Sequence, residues 1–136
     1  ITKSMGAADF LLGVCESWMT PALFLSVAFV AGAVISFFTG SSWGTFAICI
    51  PIAVPMAYSF TGGQLGTLVY AAVGAVVSGG LFGDHCSPVS DTTVLSSLGA
   101  ACDHIDHVRT QLPYALLAAV VSMILWVVVA MVGGAA

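Results

Sequence analysis

Two short tracts carry most of the polar chemistry of this chain. GDHCSPVSDTT, Gly83 to Thr93, places Asp84, His85, Ser87, Ser90, Asp91, Thr92 and Thr93 within ten residues. TGSSWGT, Thr39 to Thr45, adds the hydroxyls of Thr39, Ser41, Ser42 and Thr45 and no charge. Carboxylates, hydroxyls and free carbonyls are hard oxygen donors, the kind that hold an alkali cation where a spanning helix is unwound. A carboxylate also takes up a proton, so cation and proton can compete for one group. Asp91 is the first candidate for such a shared carboxylate and Asp84 the second. His85, beside Asp84, could handle protons, although packing explains a lone histidine equally well.

The surroundings sharpen the point. From Ser17 to Gly83 the chain runs 67 residues without an Asp, Glu, Lys, Arg or His, and after Arg109 it carries none again. Of eleven ionisable side chains, eight lie between Asp84 and Arg109. A carboxylate in hydrocarbon costs about 2.5–3.5 kcal/mol on insertion scales, so such groups persist where they serve something. One reading makes Gly83 the membrane edge and the tract a solvated loop. Against it, Val94 to Ala101 is apolar again and too short to span. Helix, polar interruption and half-length apolar helix together describe a broken spanning helix. Its halves expose free carbonyls and free amides at the break. Ser87, just before Pro88, suits the cap of the second half, and Asp91 falls near that helix's favourable N-terminus.

Composition supplies the solvent. Of 136 residues 60% are hydrophobic and 6% charged, where a soluble domain carries about a quarter charged. The fold class expected is therefore all-α integral membrane. The start, ITKSMGAADF, has neither an initiator Met nor a basic region leading into an apolar core. The chain is expected to begin inside a longer protein. Net charge is −4, with Lys3 and Arg109 the basic residues, which excludes nucleic acid as a partner. Cys15, Cys49, Cys86 and Cys102 are scattered and form no CxxC pair. CDHIDH brings Cys102, His104 and His107 near one another, and a zinc site is conceivable there. HExxH is absent, the surface reading is favoured for both histidines, and no transition metal is expected.

Four apolar segments must position these tracts: Pro21 to Phe38, Phe46 to Phe60, Leu65 to Phe82 and Pro113 to Val132. The second contains Pro51 and Pro55 and is expected to be kinked or half-length. The fourth reads as a plain span starting at a proline. Thr61 to Thr67 reads as a turn, and Ala101 to Leu112 as a short amphipathic surface helix. TGSSWGT is either an exposed turn with Trp43 at the interface or the tip of a re-entrant hairpin lining a cavity. Two basic residues leave orientation open.

TGSSWGTFAICIPIAVPMA (Thr39 to Ala57) and GDHCSPVSDTTVLSSLGAACDHIDHVRTQLPYA (Gly83 to Ala115) closely resemble the NhaC family of sodium/proton antiporters. Together they cover 52 of 136 residues in order, so the likeness extends well beyond one short motif. The resemblance implies one repeat of an inverted-repeat ion transporter, with residues 1–136 as its C-terminal part. It implies a re-entrant hairpin from Pro21 to Phe60, a broken helix from Leu65 to Ala101 and a final span from Tyr114 to Val132, with tip and break meeting at the midplane. It also implies a transporter rather than an enzyme. Na⁺ and H⁺ would be its cargo, with no cofactor, in a prokaryotic inner membrane. Lipid, the remaining repeat and a second copy in a homodimer would be its partners. The implied ion site takes in Asp91, Asp84, Ser87, Ser90, Thr92, Thr93, Thr39, Ser41, Ser42 and Thr45.

Two alternatives stand beside this reading. An organic-acid exchanger of malate or lactate type, coupled to Na⁺ or H⁺, should face its site with an Arg or Lys, and neither polar tract has one. A membrane metalloenzyme would use Cys86, His104 and His107.

Overall fold

A computed structural model describes Gly13 and residues 19–133 of the chain. Lys3 and Cys15 lie outside the described residues. Within residues 19–133 five helices follow in order: α1 (Pro21–Thr39), α2 (Ser42–Phe60), α3 (Thr67–Cys86), α4 (Asp91–Gly99) and α5 (His104–Gly133). The four longer ones are long and apolar enough to cross a membrane. The all-α membrane class expected from composition is what the chain adopts.

The helices begin and end on local signals. Thr20 caps α1, its hydroxyl accepting from the Leu23 amide, and Pro21 fills the first turn, where its missing N–H costs nothing. Gly40 ends α1 in the left-handed region at φ 65°, its amide returning to the Ser36 carbonyl. Ser41 then caps α2 by accepting from the Gly44 amide. The connection between the two arms is thus Gly40 and Ser41 alone. This corrects the expectation of an irregular tip over Thr39 to Thr45, because a left-handed glycine followed by a serine cap reverses the chain in two residues.

Two further expectations are corrected. α2 runs unbroken through Pro51 and Pro55 and is not half-length; each proline removes one backbone hydrogen bond, and nineteen residues of helix absorb both. The surface helix expected over Ala101 to Leu112 is the first part of α5, which passes through Pro113 without ending.

α1 and α3 form the centre. Leu25, Ala28, Phe29, Ala33 and Ser36 on α1 bury against Ala72, Ala75, Val76, Gly79 and Gly83 on α3. In lipid, helix association rests on close van der Waals packing rather than on expulsion of water, and small residues permit it. A Cβ added at Gly32 would stand 2.9 Å from the Val76 carbonyl oxygen. Gly79 and Gly83, one turn apart, lie against the Phe29 and Ala33 carbonyls with no room for a side chain. α5 packs antiparallel to α3: Gly133 lies by Thr67, and Trp126 covers Gly74 while its Nε1 donates to Ser78 Oγ at 2.9 Å. Ala115 and Ala119 come level with Phe82 and His85 around a shared hollow. The connection α1–α2 and the gap α3–α4 therefore fall at one end of the bundle, beside the charged first turns of α5.

Candidate functional site

The polar end of the bundle is built by the α1–α2 connection and the α3–α4 gap. α3 continues through Gly83, Asp84 and His85 to Cys86, and Ser87 to Ser90 lie outside helix. Gly40 fits against the gap so closely that a Cβ there would stand 2.7 Å from the Val89 carbonyl oxygen. Ser87 donates to the Phe37 carbonyl at 2.6 Å, tying the gap to α1. Ser87 therefore ends α3 and does not cap α4. That position belongs to Ser90, because Pro88 and Val89 are still extended or turning.

Asp84 is the centre of what these contacts assemble. The residue is 8% exposed. Ser90 Oγ donates to Oδ1 at 2.7 Å, and Ser42 Oγ, from the start of α2, donates to Oδ2 at 3.3 Å. Thr92 Oγ1 stands 2.7 Å from Ser90 Oγ and 3.5 Å from Oδ2, the second at the outer limit of a hydrogen bond. Ser90 is the N-cap of α4, yet its hydroxyl makes no cap bond. It is spent on Asp84 instead. Thr93, buried, closes the base by donating to the carbonyls of Asp84 and His85 at 3.4 and 3.3 Å.

The other residues named from sequence fall around this cluster. Thr45 is fully buried and donates to the Ser41 carbonyl at 3.0 Å. Ser41 is occupied as the α2 cap, and Thr39, exposed, bonds back to Ile35 at 2.8 Å. Asp91 is exposed in the first turn of α4, its Oδ1 accepting from the Thr92 amide at 2.8 Å. It does not join the cluster. His85 is also exposed and faces the hollow of about 470 Å³ between α1, α3 and α5, with Ser78 and Ser122. Ser36 escaped the sequence reading, and His104, favoured there as a surface residue, contacts the gap instead. Ser36 is fully buried beside Gly83, and its hydroxyl has no partner. His104 reaches the gap from α5, with Nε2 2.7 Å from the Pro88 carbonyl. Only a histidine at a helix start, within a run of charge, hinted at it.

Electrostatically the cluster is one-sided. The recorded partners of the Asp84 carboxylate are all hydroxyls. Arg109, the one basic residue among the described residues, is exposed. A buried carboxylate bonded only to neutral donors leaves a negative charge to be met by a cation or by a proton. Among the described residues no three His, Cys, Asp or Glu gather as a metal would require. Of the residues named for a metalloenzyme, Cys86 is buried and donates to the Phe82 carbonyl, while His104 bonds Pro88 and Ser97.

Comparison with known proteins places the chain among its relatives. The chain is 53% identical over 110 residues to an uncharacterized protein of Haemophilus influenzae, covering 80% of this chain and 20% of that one. It is 36% identical over 129 residues to the malate-2H⁺/Na⁺-lactate antiporter of Bacillus subtilis, covering 95% and 26%. It is 32% identical over 124 residues to the Na⁺/H⁺ antiporter NhaC of Alkalihalophilus pseudofirmus, covering 91% and 26%. The chain thus spans between a fifth and about a quarter of the length of these relatives. No solved structure matches it. The model of the Na⁺/H⁺ antiporter family matches residues 1–131, nearly the whole chain and both polar tracts, and the chain belongs to that family.

Proposed function

We propose that this chain is the C-terminal repeat of a longer secondary transporter that exchanges Na⁺ for H⁺ across a prokaryotic plasma membrane. The observation that carries the reading is the buried Asp84, its carboxylate held by Ser42, Ser90 and Thr92 and unpaired with any base among the described residues. Na⁺ and a proton are alternative ways to meet that charge. When the proton is on, the carboxyl becomes a donor and the hydroxyls turn to accept. When Na⁺ is on, carboxylate and hydroxyl lone pairs face the ion. Each occupant excludes the other, and alternating access to the two sides converts that exclusion into exchange.

Sequence alone ranks Asp91 ahead of Asp84; burial and partners reverse that order in this reading. Asp91 becomes the second carboxylate, on an exposed face that the other repeat would cover. Ser41, Thr39, Thr45, Ser87 and Thr93 support the backbone around the gap. His85, facing the α3–α5 hollow, is the candidate for passing protons to and from it. Insertion of α1–α2 as a re-entrant hairpin, and a dimer of the whole protein, belong to the same proposal. The test is Na⁺-driven proton movement in proteoliposomes containing the full-length protein. Proton movement indifferent to Na⁺ would end the reading.

A second reading is favoured by one observation. The Bacillus relative, an organic-acid exchanger by its name, is 36% identical over 95% of this chain. An organic anion needs a guanidinium or ammonium partner, which the other part of the transporter would have to supply. Malate or lactate uptake coupled to Na⁺ in the same vesicles, with Na⁺/H⁺ exchange lost without the acid, would establish it.

A further inference from the structure

His104 holds the gap from outside the cluster. Its ring bridges two elements: Nε2 is 2.7 Å from the Pro88 carbonyl oxygen in the gap, and Nδ1 is 3.2 Å from Ser97 Oγ on α4. The turn that brings it there is strained. Ala101 sits at φ 52°, a left-handed conformation an alanine rarely adopts, and the Cys102 amide returns to the Ser97 carbonyl at 3.1 Å. Backbone strain of this kind persists where its surroundings over-determine it.

The hydrogen count of the bridge is unbalanced with a neutral ring. Pro88 O only accepts, so Nε2 carries hydrogen. Ser97 has one hydroxyl hydrogen, and the Val94 carbonyl, which also only accepts, lies 2.8 Å from its oxygen. A neutral ring has one hydrogen for two places: on Nε2 it keeps Pro88 but sets Nδ1 against Val94 for the Ser97 hydrogen, and on Nδ1 it satisfies Ser97 and Val94 but lets Pro88 go. With hydrogen on both ring nitrogens, all three bonds form at once. We propose that His104 is a positioning residue for the Asp84 site and that it completes its clasp on the gap only in the doubly protonated form. Loosening the clasp frees Pro88 and, two residues on, Ser90, whose hydroxyl holds Asp84. The ionisable groups on the elements packed here are Asp103 just before α5, Asp106, His107 and Arg109 on α5, Asp84 and His85 at the end of α3, and Asp91 at the start of α4.

The proposal rests on Asp84 as the site of the transported cation. In the full-length protein it gives the apparent KM for Na⁺ two limbs. Acid raises it through proton competition, and alkali raises it by opening the clasp. His104→Ala should raise KM about tenfold at the pH where the wild-type KM is lowest and abolish the alkaline limb. Ser97→Ala relieves the competition for one hydrogen, so the neutral ring keeps Pro88; KM at that same pH should stay within about twofold and the alkaline limb should flatten. An alkaline limb absent in the wild type, or unchanged in Ser97→Ala, overturns the proposal even if His104→Ala fails to fold. Hydrogen exchange over residues 87–98 of purified full-length protein, at one pH, separates this from the transport reading. Exchange several-fold faster in His104→Ala than in the wild type supports the clasp whatever the cargo, and equal exchange overturns it.

Discussion

Asp84 and Asp91 stand seven positions apart and have opposite surroundings. Asp84 is buried under three hydroxyls, and Asp91 is exposed at a helix start where its charge is favoured. If Asp84 is the exchanging carboxylate, Asp84→Asn in the full-length protein abolishes Na⁺-dependent proton movement while the protein still folds. Asp91→Asn retains at least a tenth of the rate. The reverse outcome in vesicle assays would return the role to Asp91. Ser90 allows a finer test. A hydrogen bond to a charged group contributes about 1.5–3 kcal/mol, so Ser90→Ala should weaken Na⁺ binding by roughly tenfold to a hundredfold. Because Ser90 makes no cap bond, α4 should lose little helix stability with it. Calorimetric titration of Na⁺ and circular dichroism on the same sample separate the two effects.

Among the elements, the α1–α3 crossing sets the site. Gly79 and Gly83 let α1 approach the α3 backbone directly, and Gly83 precedes Asp84. Gly83→Ala forces a methyl into the Ala33 carbonyl and the Ser36 side chain. Overpacking of this kind costs about 1–3 kcal/mol, and it displaces Asp84 from Ser42 as well. Melting of the detergent-solubilised protein should fall by several degrees, with weaker Na⁺ binding. Gly99→Ala, with nothing within 4 Å, should change neither. α5 matters for a different reason. Its 30 residues outrun α3 by ten, about 15 Å at 1.5 Å per residue. Those extra turns carry His104, Asp106, His107 and Arg109 beside the gap, and how deeply they sit determines how deep the gap lies.

At the scale of the whole protein, competition has a measurable sign. If Asp84 is the exchanging carboxylate, one proton on it excludes one Na⁺, and by linkage Na⁺ must release that proton. Apparent Na⁺ affinity should therefore fall on acidification, by up to about tenfold per pH unit where the site is protonated. Na⁺ binding to the full-length protein, measured from acid to neutral pH, checks it, and Asp84→Asn should flatten the profile. In the proposed transporter this unit supplies one face of the site, with Trp43 and Asp91 exposed beside it.

Sequence by itself determined the solvent, the helical class, the four long apolar segments and the two tracts that meet. Those follow from local physics: 67 residues without charge cannot remain in water, and a spanning segment must satisfy its own backbone. The family was also legible, from strings too long and polar to recur by chance. Sequence did not determine which aspartate turns inward. Asp84 ends a helix pressed on α1 through glycine, whereas Asp91 begins one that faces outward, and neither fact is local. Nor could it show that Ser90 would give up its capping bond for Asp84, or that His104 would bridge sixteen residues back to Pro88. Ser42 lies 42 positions from Asp84. The helix crossing, set by where glycines remove side-chain bulk, brought those oxygens together, and only the folded chain decided it.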